Sequence, residues 1–226
     1  MVERYYYDVI MGRNAFTHYL RSNGMNQHAF LLTALDLKRE GRTAWEEAEL
    51  DHVESVAGHS WGVALLTVLH GTQADVDVGH AVQLAVVHDV AESITGDIIS
   101  ADKRPNENRD HALTEQQKHH LEERAMERLA PIAGDRAHVR ALWEEYEARE
   151  SDEARFVKDM DTLELAYQTV AYQEADAFSD APEPYDDIDD LILDNASFYT
   201  ETAQNAFEKL VDGHDTEKET YRPSQD

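Results

Sequence analysis

The sequence predicts an all-α protein built as a single helical bundle, and three observations carry that reading. Only 10 Gly and 5 Pro are spread over 226 residues, so long stretches run without a breaker. Apolar residues recur at three- and four-residue spacing over most of the chain. No segment sustains the alternation of a half-buried strand.

The elements follow in order. A first helix is expected over residues 27–40, where Phe30, Leu31, Ala34, Leu35 and Leu37 form a broad apolar stripe that Gly41 ends. A second covers 53–71, with Val56, Val63, Leu66 and Leu69 at helical spacing. The third, 78–93, is apolar nearly all round, which places it centrally. Thr114-Glu-Gln-Gln117 fits a capping box and opens a helix to about 130, whose many charges read as a solvated face. Pro131 and Gly134 then punctuate the chain. The next helix, 135–149, buries Val139, Leu142, Trp143 and Tyr146, and 151–174 has Phe156, Met160, Leu163, Tyr167 and Val170 in register. Residues 176–187 contain Pro182 and Pro184 among many acids and read as a loop. A final helix is expected over 188–210, with Leu191, Ile192, Tyr199, Ala203, Ala206 and Leu210 on one face.

No repeat or low-complexity linker divides the chain, so the organisation predicted is an N-terminal extension at 1–26, a helical core at 27–212 and a polar tail at 213–226. Met25 immediately precedes the first clear helix and is the expected native start.

Composition narrows the function. With 47 Asp+Glu against 20 Lys+Arg, the formal charge is −27, a field that repels nucleic-acid backbones and anionic membranes. The acids are spread along the chain and only six of the basic residues are Lys, a pattern similar to the proteins of salt-in halophilic archaea. Molar salt, where the Debye length falls to ~3 Å, is the expected medium. The absence of Cys rules out disulfides, a thiolate nucleophile and a Cys-based zinc site, leaving His and carboxylates for any metal chemistry. The first 24 residues carry charges throughout and lack an apolar core, so no signal peptide or membrane anchor is expected there, and the location expected is cytoplasmic.

The informative segment is Leu84-Ala-Val-Val-His-Asp-Val-Ala-Glu-Ser-Ile-Thr-Gly-Asp97. It sets His88, Asp89 and Glu92 among aliphatic residues that promise burial, which costs several kcal/mol unless the polar groups are paired or bind a cation. A divalent metal is the simplest partner; a buried His-Asp hydrogen bond is the structural alternative. His59 and Asp161 are further ligand-type residues on apolar helix faces. His52, His80 and the His119-His120 pair have comparable spacings but read as solvated or capping histidines.

The segments ESVAGHS, LAVVHDVAESITGD and FVKDMDTLE, with Leu142-Trp-Glu-Glu-Tyr-Glu147 between the last two, resemble the HD-domain superfamily of metal-dependent phosphohydrolases. Within it they resemble the 5'-deoxynucleotidase family similar to HD domain-containing protein 2. The resemblance spans roughly residues 31–174 and implies an all-α HD domain.

It further implies one divalent ion held by His59, His88, Asp89 and Asp161, with Glu92 as catalytic acid and Asp97 supporting substrate and water. Which of these two moves the proton to the leaving ribose oxygen stays open. Two His and two carboxylates suit Mn²⁺ or Co²⁺ first, then Fe²⁺ or Zn²⁺, over Mg²⁺.

The family's substrate element before the first metal His corresponds to Arg42-Thr-Ala-Trp45, assigning phosphate and substrate contact to Arg42 and Trp45. The family's Arg shortly after that Trp is missing, since Glu46-Glu-Ala-Glu49 stands there. Lys103 and Arg104, just past the Gly-Asp turn, are the other candidate phosphate cations.

The implied activity is hydrolysis of deoxynucleoside 5'-monophosphates, with a homodimer as the possible assembly. Alternatives are another phosphoester, such as an alarmone or cyclic nucleotide, or a catalytically silent metal-binding scaffold. Ser93 after Glu92 argues against an alarmone hydrolase, where Glu-Asp is usual.

Overall fold

A computed structural model describes residues 26–101, 112–133, 136–185, 187–188, 192–193 and 195–220. The expectations for the N-terminal extension and Met25, for Lys103 and Arg104, for Gly134 and for Leu191 lie outside these residues. Among the described residues the protein is all-α, with a single antiparallel bridge, Gly41 to Ser55, as its one extended pairing.

In chain order the helices are α1 (Asn26–Ala34), α2 (Thr43–Glu47), α3 (Val56–His70), α4 (Val78–Val87), α5 (Glu92–Thr95), α6 (Glu115–Leu129), α7 (Arg136–Ala148), α8 (Asp152–Glu174) and α9 (Glu201–Thr220). A 3₁₀ turn, Leu35–Lys38, continues α1. Polar side chains set several helix starts by accepting the free N–H groups of the first turn: Ser55 from Gly58, Asp77 from His80 and Ser151 from Ala154. The capping box at Thr114 and Gln117 is formed in both directions.

The longest helix, α8, is the axis of the bundle and packs along α3, α4, α7 and α9. Val63, Leu84, Leu142, Phe156, Met160 and Leu163 form the main core between these helices. A second core joins the α4–α5 turn to α6 and α7 through Val90, Ile94, Leu121, Met126 and Trp143. A third encloses Trp45 with Leu50, Tyr185 and Ile188.

Several boundaries differ from the sequence reading. The central helix stops at Val87 instead of running to 93, and the chain turns through His88 and Asp89 before α5. The last helix begins at Glu201 and stays helical to Thr220, past Gly213. Its start is set from α8, where the buried Asp159 carboxylate accepts the N–H groups of Tyr199 (2.7 Å) and Thr200 (2.8 Å) and the Thr200 hydroxyl (2.6 Å). Leu31, Leu35, Leu69 and Tyr167, expected on buried faces, are exposed. No helix among the described residues is long and apolar enough to cross a membrane.

Candidate metal centre

Three structural devices converge on one point. The first is the end of α4: His88 caps the helix, and its Nδ1 donates to the Ala85 carbonyl at 2.7 Å. That bond consumes the ring's one proton in the neutral form, so Nε2 presents a lone pair. The second is α3, which brings His59 to the same point with its ring fully buried. The third is α8, which supplies Asp161 and, one turn later, Glu164 to either nitrogen of His59: Asp161 Oδ1 is 3.0 Å from Nε2, and Glu164 Oε2 is hydrogen-bonded to Nδ1.

Close helix approach makes the last contact possible. A Cβ at Gly62 would lie 2.6 Å from Glu164 Oε1 and 2.7 Å from its Cγ, so any larger residue displaces the carboxylate behind His59.

Donor atoms of His59, His88 and Asp89 lie within 4.8 Å of one another. His59 Nε2, His88 Nε2 and Asp89 Oδ2 are each buried with no hydrogen-bond partner, although Asp89 Oδ2 stands 3.1 Å from His88 Nε2 and 3.8 Å from His59 Nε2. Among the described residues these three atoms face one another and Asp161 Oδ1, 3.0 Å from His59 Nε2. Two imidazole nitrogens and a carboxylate oxygen facing one another form a donor set that fits a divalent ion, with Asp161 at the rim. Asp161 is itself steered by α7 and its own helix: Tyr146 donates to its Oδ2 at 2.9 Å, and Lys158 does so from one turn earlier.

The electrostatics of these side chains agree with this. Burial and the nearby Arg42 push the His59 pKa down, but the carboxylates of Asp161 and Glu164 outweigh them and hold it at about 10. Burial would raise the Asp89 carboxyl, yet His88, His59 and Arg42 keep it well below the usual range. Asp161 is lowered likewise, with Lys158 and His59 overcoming burial. The cluster is therefore anionic enough to hold a proton where a metal would sit, and metal binding must displace that proton.

Glu92, in the first turn of α5, is buried against the cluster with Oε2 unpartnered. Burial, reinforced by Asp89 and Asp97 and opposed by Lys118 and Arg42, drives its carboxyl well above the ordinary value. Gly96 ends α5 at φ 79°, a left-handed conformation suited to glycine, and thereby turns Asp97 back toward the cluster.

Asp97 is fully engaged: Oδ1 accepts from Arg42 at 3.2 Å, Oδ2 from the Thr43 N–H at 2.7 Å, and its carbonyl from the Thr43 hydroxyl at 2.6 Å. It ties the start of α2 to the site and fixes Arg42, whose Nη1 also lies 3.9 Å from Asp89 Oδ2. Burial opposes the Arg42 charge, but Asp97 and Asp89 outweigh it and raise its pKa.

The structure thus gathers His59, His88, Asp89, Asp161, Glu92, Asp97 and Arg42. Trp45 has no exposed surface and packs edge-on against Tyr172 at 5.3 Å and beside Phe178, so it supports α2 from the core. Sequence reasoning missed Glu164, Lys158, Tyr146 and Lys118. Glu164 carried a signal, an acid between the apolar Leu163 and Ala166 three positions after Asp161. Lys118 carried none, since it sits in a helix dense with charge.

A helical bundle with a buried His/His-Asp cluster at the turn after a central helix defines a class, and comparison with known proteins agrees. The HD domain family matches residues 34–182. The chain belongs to the HD domain family. It is 36% identical over 148 residues to the 5'-deoxynucleotidase HDDC2 of Mus musculus, covering 64% of this chain and 69% of that one. A 5'-deoxynucleotidase of Schizosaccharomyces pombe is 34% identical over 143 residues, covering 61% and 67%. Among solved structures, one from Magnetospirillum magnetotacticum described as a predicted metal-dependent phosphohydrolase superposes with a TM-score of 0.60 at 25% identity, covering 85% of this chain and 93% of that one. A conserved hypothetical protein of Pyrococcus furiosus gives a TM-score of 0.60 at 25% identity, covering 81% and 98%.

Proposed function

We propose that this protein is a metal-dependent 5'-deoxynucleotidase, hydrolysing deoxynucleoside 5'-monophosphates to nucleoside and phosphate. The observation that carries the reading is the convergence of three buried donor atoms without hydrogen-bond partners, from His59, His88 and Asp89, beside the buried carboxyl of Glu92. The names of the relatives supply the substrate class.

His59, His88, Asp89 and Asp161 would hold one divalent ion, with Mn²⁺ or Co²⁺ favoured by the mixed nitrogen and oxygen donors. When bound, such an ion supplies Lewis acidity toward the phosphoryl group and the attacking water. The remaining work falls to the chain. Arg42, held in place by Asp97, meets the phosphate as a fixed cation. Glu92 gives its proton to the leaving ribose 5'-oxygen: the carboxyl O–H bond breaks as the alcohol O–H bond forms, leaving a carboxylate. Asp97 is assigned to orienting Arg42 and not to the proton, because both of its oxygens already accept hydrogen bonds.

Lys103 and Arg104 remain proposed phosphate contacts. A cytoplasmic location, a molar-salt medium, a homodimer and the absence of nucleic-acid and membrane partners also belong to this proposal, resting on the charge of −27 and the family resemblance.

Colorimetric phosphate release over a panel of ribo- and deoxynucleotides, crossed with a set of divalent metals in molar KCl, tests the reading. Turnover greatest on deoxynucleoside monophosphates supports it. Release from cyclic nucleotides or alarmones alone, or from nothing tested, refutes it.

A further inference from the structure

Lys118 lies in the first turn of α6, within a stretch whose charges read as solvent-facing, yet its side chain is mostly buried. The second apolar core explains this. Leu121, Ala125 and Met126 of α6 pack with Val90 and Ile94 around α5, and that packing carries Lys118 over the start of α5. Its Nζ stands 3.4 Å from Glu92 Oε1 and 3.3 Å from Glu122 Oε1, one turn further along its own helix. The other oxygen of Glu92, Oε2, is buried and unpartnered.

We propose that Lys118 is a positioning residue for Glu92: its ammonium, braced from behind by Glu122, holds one carboxyl oxygen so that the other is presented to the leaving group. This deepens the phosphohydrolase reading and rests on the acid role given to Glu92 there. Among the described residues Asp89 and Asp97 disfavour the Glu92 carboxylate, while Lys118 and Arg42 favour it. Arg42 is already committed to Asp97 and Asp89. Among the described residues Lys118 is the cation whose hydrogen bond reaches a Glu92 oxygen, so it can receive the charge that appears there when the proton leaves, while keeping its own protons. Glu122 in turn braces Lys118 from behind at 3.3 Å, with Glu147 the further acid acting on Glu122 from α7.

A phosphate contact is the competing role for a lysine here, and the two separate in kinetics. A positioning residue acts through kcat, whereas a ground-state phosphate contact acts through KM. The test uses the full chain, stripped with chelator, reloaded with Mn²⁺ and assayed on deoxyadenosine 5'-monophosphate.

Lys118→Met is expected to lower kcat about tenfold or more, with KM changed less than about twofold and metal content unchanged. Lys118→Arg recovers part of kcat, and Glu122→Gln, which leaves the lysine in place, lowers it less than Lys118→Met. In a Glu92→Gln background Lys118→Met adds less than about a further twofold, because its effect runs through that acid. The same double-mutant cycle, read by urea unfolding of the metal-free protein, reports the Lys118–Glu92 contact without turnover and should be non-additive.

A raised KM at unchanged kcat, or losses that multiply in the Glu92→Gln background, overturns the proposal. A Glu92→Gln enzyme as active as the wild type overturns instead the acid assignment, and the urea cycle then still reads the contact by itself.

Discussion

Among the described residues three groups of ligand-type side chains bring donor atoms within 4.8 Å of one another, one of them Glu54 and Glu164 around His59; the other two share no residue and are opposites. In the first, His59, His88 and Asp89 are enclosed by α3, α4 and α8, and the facing atoms are without hydrogen bonds. In the second, His119, Glu122 and Glu147 lie between α6 and α7, where the His119 ring is half exposed and stacked on Trp143, Nδ1 is bonded to Glu147 at 2.9 Å, and Glu122 is taken by Lys118. Proximity of ligand-type atoms is therefore a poor criterion. What demands a cation is burial without a partner, because exposed groups find water and paired groups have already been satisfied.

The largest effects should fall on one cluster alone. His88→Ala or Asp89→Asn is expected to weaken metal binding by about a hundredfold or more and to abolish phosphate release, read by calorimetric titration and phosphate assay. His119→Ala should leave metal binding unchanged. A comparable loss from His119→Ala would erase the distinction between the clusters.

Next comes Glu92→Gln, which is expected to keep the metal while lowering kcat by about 10²–10⁴. Smaller again is Gly62→Ala, whose Cβ displaces Glu164 from behind His59. Loss of such an outer partner lowers metal affinity about 10–100-fold, and titration of the variant against the wild type measures it.

Salt should matter by a few-fold. A nucleotide anion approaching a chain of charge −27 is repelled over about 10 Å in 0.1 M salt but only ~3 Å at 1 M. Activity is therefore expected to rise with KCl before falling, and a maximum at the lowest salt would contradict the halophilic reading.

The smallest effect is on stability against pH, and it belongs to the second cluster. Burial, partly offset by Lys118, lifts the Glu122 carboxyl from 4.5 to about 7, so between those values the folded protein binds more protons than the unfolded chain. The stabilisation is full below pH 4.5 and is lost as pH rises through 7, on the order of 1–3 kcal/mol. Urea midpoints across that window should fall with rising pH, and Glu122→Gln should flatten the slope.

The candidate ligands stood out in the chain because they break a pattern, but the choice of this set over His52, His80 or His119 came from the family resemblance. His59 has Val56 and Val63, and Asp161 has Val157 and Leu165, one turn to either side, while His88 and Asp89 follow Leu84-Ala-Val-Val87; burial of polar groups there needs a reason. Lys118 and Glu122 break no local pattern, since α6 is charged on many sides, and only the docking of Leu121 and Met126 under α5 buries them. Trp45 was read for its place in a family element, but a large ring's destination is set by Tyr172 and Phe178, well over a hundred residues downstream. The start of the last helix was hidden for the same reason: the Asp159 carboxylate that caps it belongs to another helix.

The most direct test of the account is to add Mn²⁺ back to chelator-stripped wild type in molar KCl while following phosphate release from a deoxynucleoside monophosphate. The account predicts that release begins with the first equivalent of metal and saturates at one per chain. Phosphate release from the fully stripped protein, or metal binding at one equivalent with no release from any deoxynucleotide, would contradict it.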